Sequence, residues 1–163
     1  MPEPPSKQLQ QVLFGQKLCT PRDVRRCSSR VRRLARDLPT FDSVWLDALV
    51  QSRVLTAFQA QAIEADEATQ LTIGPCLVLD QLGHSSRART CLARHRATLE
   101  PCVIKQVSLP IEYSEKTLAA LNGLVEAGQQ IDHPGLVLPQ AVSENATPVS
   151  GVAKKDAAGV NGQ

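Results

Sequence analysis

The chain has 163 residues, enough for one ordinary domain or two small ones. Hydrophobic residues make up 42% but aromatics only 3%, so a core must be assembled from Leu, Val, Ile and Ala, and a formal charge of +2 is too small by itself to imply a nucleic-acid partner. No run of about 18 apolar residues occurs, so no membrane span is expected, and the opening MPEPPSKQLQQ lacks the charged and apolar regions of a secretory signal.

Residues 1–6 are Pro-rich and read as frayed. Residues 7–70 read as a small helical bundle. A weak internal repeat runs through them at a constant offset of 36, matching Leu13–Cys27 with Leu49–Ile63. Each copy reads as a helix, a tight turn and a Thr that starts the next helix: Thr20 before Pro21, and Thr56 before Ala57. Two copies are too few for a solenoid. Between them, Arg22 to Arg36 carries seven arginines against one acid, Asp23. Such a stretch suits phosphate, RNA or an acidic membrane surface. A solvated helix face is the favoured reading, because no aromatics interleave the arginines to stack bases. Val24, Cys27, Val31, Leu34 and Leu38 give that helix its apolar stripe.

The pattern then changes period. Cys76–Leu82, Arg89–His95 and Cys102–Val107 read as three strands of an antiparallel meander with tight connections. Alternation puts Val103, Lys105 and Val107 on one face. A lysine in the middle of an apolar strand is either an edge charge facing water or a functional cation, and composition alone favours the edge charge. Residues 113–131 read as one helix. The expected fold class is therefore α+β. Cys19, Cys27, Cys76, Cys91 and Cys102 include no C-x-x-C spacing, and no histidine stands at a ligand spacing from them, so no metal site is expected. They read as reduced, mostly buried thiols of a cytoplasmic protein.

Residues 73–142 resemble the start of a protein kinase domain, most closely bacterial Ser/Thr kinases of planctomycete type. Ile73-Gly74-Pro75-Cys76-Leu77 is similar to their first-strand opening. Leu82-Gly83-His84-Ser85-Ser86-Arg87-Ala88-Arg89-Thr90-Cys91-Leu92-Ala93-Arg94-His95 resembles the glycine-rich loop and second strand, L-G-x-G-x-x-G-x-V-Y-x-A-x-H. Cys102-Val103-Ile104-Lys105 resembles the V-A-I-K strand, and Ile131–Val137 the L-x-H-P-N-I-V step into the fourth strand. Leu49–Ile63 is similar to a helical module often found ahead of such kinases. The resemblance implies a helical module at 1–70, a kinase-like N-lobe at 72–153 with about five antiparallel strands and one helix, and a tail at 154–163. It implies ATP with Mg as ligand, and Gly83, Ser85, Ala88, Thr90, Val103 and Lys105 as the residues around it.

Each part of that site departs from the family. Gly is needed where side chains would collide with the phosphates, yet Ser85 and Ala88 replace the second and third glycines. Val103 stands for the alanine of the adenine slot, and Thr90 for the valine that covers the base. Overpacking of about 1–3 kcal/mol weakens binding roughly tenfold or more. The helix Glu that pairs with the lysine falls at Leu124. Glu126 is two residues away, about 200° round a helix. Leu118, Leu121, Leu124 and Val125 are expected to form the packed stripe of that helix. No His-Arg-Asp loop or Asp-Phe-Gly occurs in the 163 residues. The expectation is thus an inactive pseudokinase fragment with ATP/Mg binding weak or lost, no catalytic or metal residues, and a protein partner on the exposed lobe face or the helical module. Two alternatives stand beside it: a basic interaction module at Arg22–Arg36 with a relic lobe, and the front part of a longer kinase.

Overall fold

In the computed structural model, residues 2–36, 39–131, 133 and 139–142 are described. Four short helices come first, and local chemistry sets their ends. Helix α1 (Lys7–Gly15) starts at Ser6, whose hydroxyl accepts the N–H of Leu9 at 3.1 Å. Helix α2 (Pro21–Ala35) and helix α4 (Ala57–Glu64) each open on a reciprocal cap. Thr20 accepts the N–H of Asp23 while Asp23 accepts the N–H of Thr20, and Thr56 and Gln59 do the same. Helix α3 (Asp42–Gln51) begins after Phe41 without a side-chain cap. Its Asp42 instead accepts from the backbone N–H of Ser6 at 2.8 Å and from the Ser6 hydroxyl.

The 36-residue repeat is a repeat of geometry. Lys17 and Arg53, 36 apart, both adopt left-handed backbone, at φ 54° and 58°. Leu18 donates to the Leu13 carbonyl and Val54 to the Leu49 carbonyl, each at 2.9 Å. These 6→1 bonds close α1 and α3 with a Schellman-type turn. Leu13 and Leu49 hold the same place in each copy and are both wholly buried. Around them gather Leu9, Val24, Cys27, Val31, Trp45, Leu46, Leu55 and Ala60. The apolar stripe of α2 is Val24, Cys27, Val31 and Ala35. Leu34, expected in it, is 39% exposed, because Ala35 lies a full turn beyond Val31 and takes the inward position. Leu38 lies outside the described residues. Trp45 is 2% exposed, and its indole N–H donates to the Glu3 carbonyl at 3.1 Å, so the proline-rich start is tied to the core.

After a 3-10 turn (Ala68–Leu71) comes a four-stranded antiparallel sheet in sequential order: β1 (Thr72–Ile73), β2 (Cys76–His84), β3 (Ala88–His95) and β4 (Pro101–Val107). The three-strand meander is thus present, joined by a two-residue first strand that the sequence reading treated only as a lead-in. The fold is α+β. Four strands are present among the described residues where about five were expected. Apart from Ile131 and His133, the step at 131–137 lies outside the described residues. No described helix is long and apolar enough to cross a membrane.

The helices and the sheet make one compact unit, Met1–Ile111, and the rest makes a second, Glu112–Gln163. Within the first, α4 packs on β2. The Thr56 hydroxyl donates to the Leu79 carbonyl at 2.6 Å, and the buried amide of Gln59 donates to the Val78 carbonyl at 2.7 Å. Phe58 lies against Ile73, Val78 and Cys91, while Leu77 joins the helical core. Arg96 ties the far end, donating to the Gln16 carbonyl and the Thr72 hydroxyl, each at 2.8 Å. Helix α5 (Ile111–Gly128) opens the second unit. On it Leu118, Leu121 and Val125 are half-buried and Gly128 buried. Leu124, expected on the packed face, is 58% exposed. At about 100° per residue those four positions fall within one narrow arc and Leu124 falls at its edge.

Candidate functional site

Register across the meander decides which side chains share a surface. Gly83 pairs with Thr90 and Thr90 with Lys105; Leu92 pairs with Val103 and Ala88 with Val107. Directly opposed residues point the same way, so five of the six expected site residues, all but Ser85, stand in one patch with Leu92 and Val107. The alternate set, Val78, Cys91, Ala93 and Ile104, faces α4 and carries the buried side of the sheet.

That patch is open. Val103 is 63% exposed and Val107 48%. Lys105 is exposed on the edge strand of the described sheet, and its ammonium has no hydrogen bond or ion pair among the described residues. Its setting is that of an ordinary edge charge. Thr90, Leu92 and Ala88 are half-buried between their neighbours. On α5, neither Leu124 nor Glu126 is packed away from solvent.

The loop between β2 and β3 is closed on itself. Ser85 N–H donates to the Ala88 carbonyl at 2.7 Å, and Ala88 N–H to the Ser85 hydroxyl at 3.1 Å. Two amides that would otherwise be free to meet an anion are thereby used within the turn. Neither Gly83 nor any residue from His84 to Ala88 has positive φ, and a Cβ on Gly83 would meet nothing within 4 Å. The turn therefore forms without glycine, which is why Ser85 and Ala88 are accommodated. Arg87 extends the closure, its carbonyl accepting the Ser108 N–H at 2.8 Å.

The sequence reading missed three polar anchors of this sheet. Gln59 is 3% exposed and satisfies a strand carbonyl from below; its T-x-x-Q spacing after Thr56 signals the helix cap but not this bond. Arg89 bonds the Gln106 side-chain carbonyl at 2.6 Å and that of Gln70 at 2.7 Å, and Arg96 does its work through backbone and hydroxyl oxygens. Nothing local marks these two arginines, because their partners are distant in sequence.

All five cysteines are free, but only Cys27 and Cys91 are buried; Cys19, Cys76 and Cys102 are half-buried, at odds with mostly buried thiols. Strands β2 and β4 bring the sulfurs of Cys76 and Cys102 to 3.8 Å across β3, above the small side chain of Ala93. Burial, and then the bond to Cys102, push the Cys76 thiol up. Among the described residues no group of three or more His, Cys, Asp or Glu is arranged to hold a metal ion. Comparison of the chain with protein-family models, with curated proteins and with solved structures gave no match.

Proposed function

We propose that residues 72–153 are a protein-kinase-like N-lobe that has lost phosphoryl transfer, and that the chain acts by binding rather than by catalysis. The observation that carries this reading is the row Gly83–Thr90–Lys105 across three consecutive antiparallel strands. It puts Gly83, Thr90 and Lys105 on a single face, as the resemblance would require of a first loop glycine, a base-covering position and a strand lysine. The resemblance assigned these roles from spacing alone.

The inactive half of the reading is supported by chemistry. A kinase lysine needs an acidic partner to hold it on the phosphates, and Lys105 has none among the described residues. Loop amides that should cradle phosphate are spent on Ser85 and Ala88. ATP with Mg is therefore a weak ligand of this face at best. A partner protein is the better occupant, since Val103 and Val107 present apolar surface beside the lysine.

Thermal melting with and without millimolar Mg-ATP tests the reading, alongside a phosphoryl-transfer assay with a generic acceptor protein. We expect no transfer and a shift under about 1 °C, as binding much weaker than the ligand concentration adds little stability. A rise of several degrees that vanishes in Lys105→Met would mean a working nucleotide site and overturn the loss of binding. Measurable transfer abolished by the same substitution would overturn the inactive assignment.

A further inference from the structure

The arginine-rich helix has a counterpart that its own stretch of sequence does not announce. Arg26 and Arg30 are one turn apart on α2 and so share a side of the helix. They line a cleft of about 380 Å³ that is also lined by Ser52 and Arg53, from the turn after α3. That turn is well defined: Arg53 donates its N–H to the Val50 carbonyl at 2.9 Å, and Val54 donates to that of Leu49 at 2.9 Å. The two helices behind the cleft pack on each other and bury Val31 and Leu49 wholly in the shared core, so its walls stand on that core.

Three arginines thus line one concavity. The one carboxylate there, Asp23, is engaged by the Thr20 backbone N–H at 2.9 Å and hydroxyl at 2.6 Å. Arg26 acts on it only through space. Among the described residues, none of the three guanidiniums has a hydrogen bond or ion pair of its own. Gathering three like charges around a single carboxylate that is already engaged is unfavourable, and an anion in the cleft relieves it. Guanidinium forks match phosphate oxygens in geometry as well as charge. The volume is at the small end of small-molecule sites, which run from about 300 Å³ upward. No aromatic side chain lines the cleft, so it offers no platform for stacked bases.

We infer that this cleft binds a small oligophosphate, a run of two or three phosphoryl groups held by Arg26, Arg30 and Arg53 with the Ser52 hydroxyl as a further donor. The second copy of the repeat does not carry the same side chains. Positions 36 beyond Asp23 and Arg26 are Gln59 and Ala62, on a helix that serves the sheet instead.

Calorimetric titration of the full chain with sodium tripolyphosphate, at about 50 and 150 mM salt, tests the inference. Arg30→Gln and Arg53→Gln should each weaken binding about tenfold, the loss of a charge-assisted pair of bonds. Arg32→Gln and Arg33→Gln, exposed on the same helix but outside the cleft, should change it less than about twofold. All four side chains are free of structural bonds, so circular dichroism should find every variant folded. Absence of binding at millimolar tripolyphosphate in low salt would overturn the assignment. So would equal losses in all four variants, which would mean diffuse charge. Tighter binding of a short single-stranded RNA that also depends on Arg32 and Arg33 would make the helix a nucleic-acid surface instead. A loss in Lys105→Met with none in Arg53→Gln would move the anion to the sheet.

Discussion

Thr20 and Thr56 stand in equivalent places and carry unequal loads. Both close a reciprocal cap, but Thr56 also donates to a carbonyl of β2, whereas the Thr20 hydroxyl is bonded to Asp23. Loss of a cap costs about 1 kcal/mol, and leaving a strand carbonyl without its donor adds a comparable amount. Urea denaturation should therefore find Thr56→Ala about 2 kcal/mol less stable than the parent and Thr20→Ala about 1. Equal losses would mean that the bond to Leu79 contributes nothing. Asp23 is held below its ordinary 3.8 by the Thr20 hydroxyl and then the Thr20 backbone, with burial opposing and Arg26 assisting. A carboxyl whose folded pKa is lowered contributes stability above its unfolded value, and that contribution is lost as pH falls through the folded one. Asp23→Asn should thus lose less stability than the parent between pH 7 and pH 3. The neighbouring Cys19 thiol is pushed up to about 11 by burial, and then by Asp23 and Cys27. At pH 8 it stays a thiol, so iodoacetamide should label it far more slowly than a free cysteine. Both threonine caps were legible from S/T-x-x-D/Q spacing. The bond that makes one of them heavier was not, because its acceptor lies 23 residues on.

The β2–β3 connection illustrates what a motif does and does not transmit. Gly83, Ser85 and Ala88 were compared with a loop that uses glycine to approach phosphate, but here the turn needs no left-handed residue and closes by its own amides. Gly83→Ala should accordingly alter stability by less than about 0.5 kcal/mol, measured as a shift in urea midpoint, with a slight gain as the outcome because the unfolded chain is restricted. A loss above 1 kcal/mol would mean that the glycine is required after all. The left-handed positions lie elsewhere. Lys17 closes α1 at φ 54°, where a side chain costs about 1–2 kcal/mol and glycine little. Lys17→Gly should therefore stabilise, by roughly 0.5–1 kcal/mol once the looser unfolded chain is counted. The strands were legible because period-two alternation separates Val103 and Lys105 from Ile104. The helix stripe on α5 was less so: four leucine and valine positions near helical spacing did not say which would drop out, and Leu124 did.

Across the molecule, helices and sheet depend on each other. Among the described residues the sheet's own buried cluster is Ile73, Val78 and Cys91, with Ile104 and Phe58 of α4 lying on it, and Leu77 is part of the helical core. So small an apolar cluster is too little to hold an isolated sheet against chain entropy. A polypeptide of residues 72–163 should be unfolded or aggregated by circular dichroism and gel filtration, whereas residues 1–111 should melt in one transition. An independently folded 72–163 would make the helices dispensable. Alternation along β2 and β3 revealed that the sheet has an inner face. It could not reveal that α4 is what covers that face, since neither the Gln59 amide nor the Phe58 ring carries a local mark of its destination.

Trp45 turns this interdependence into something visible. The chain has a single indole, sealed in the helical layer and hydrogen-bonded to the Glu3 carbonyl. Its emission is an intrinsic optical gauge of the helical layer. Any fading of that signal caused by damage to the sheet alone is a report carried through the contacts that join the two layers, α4, Leu77 and Arg96.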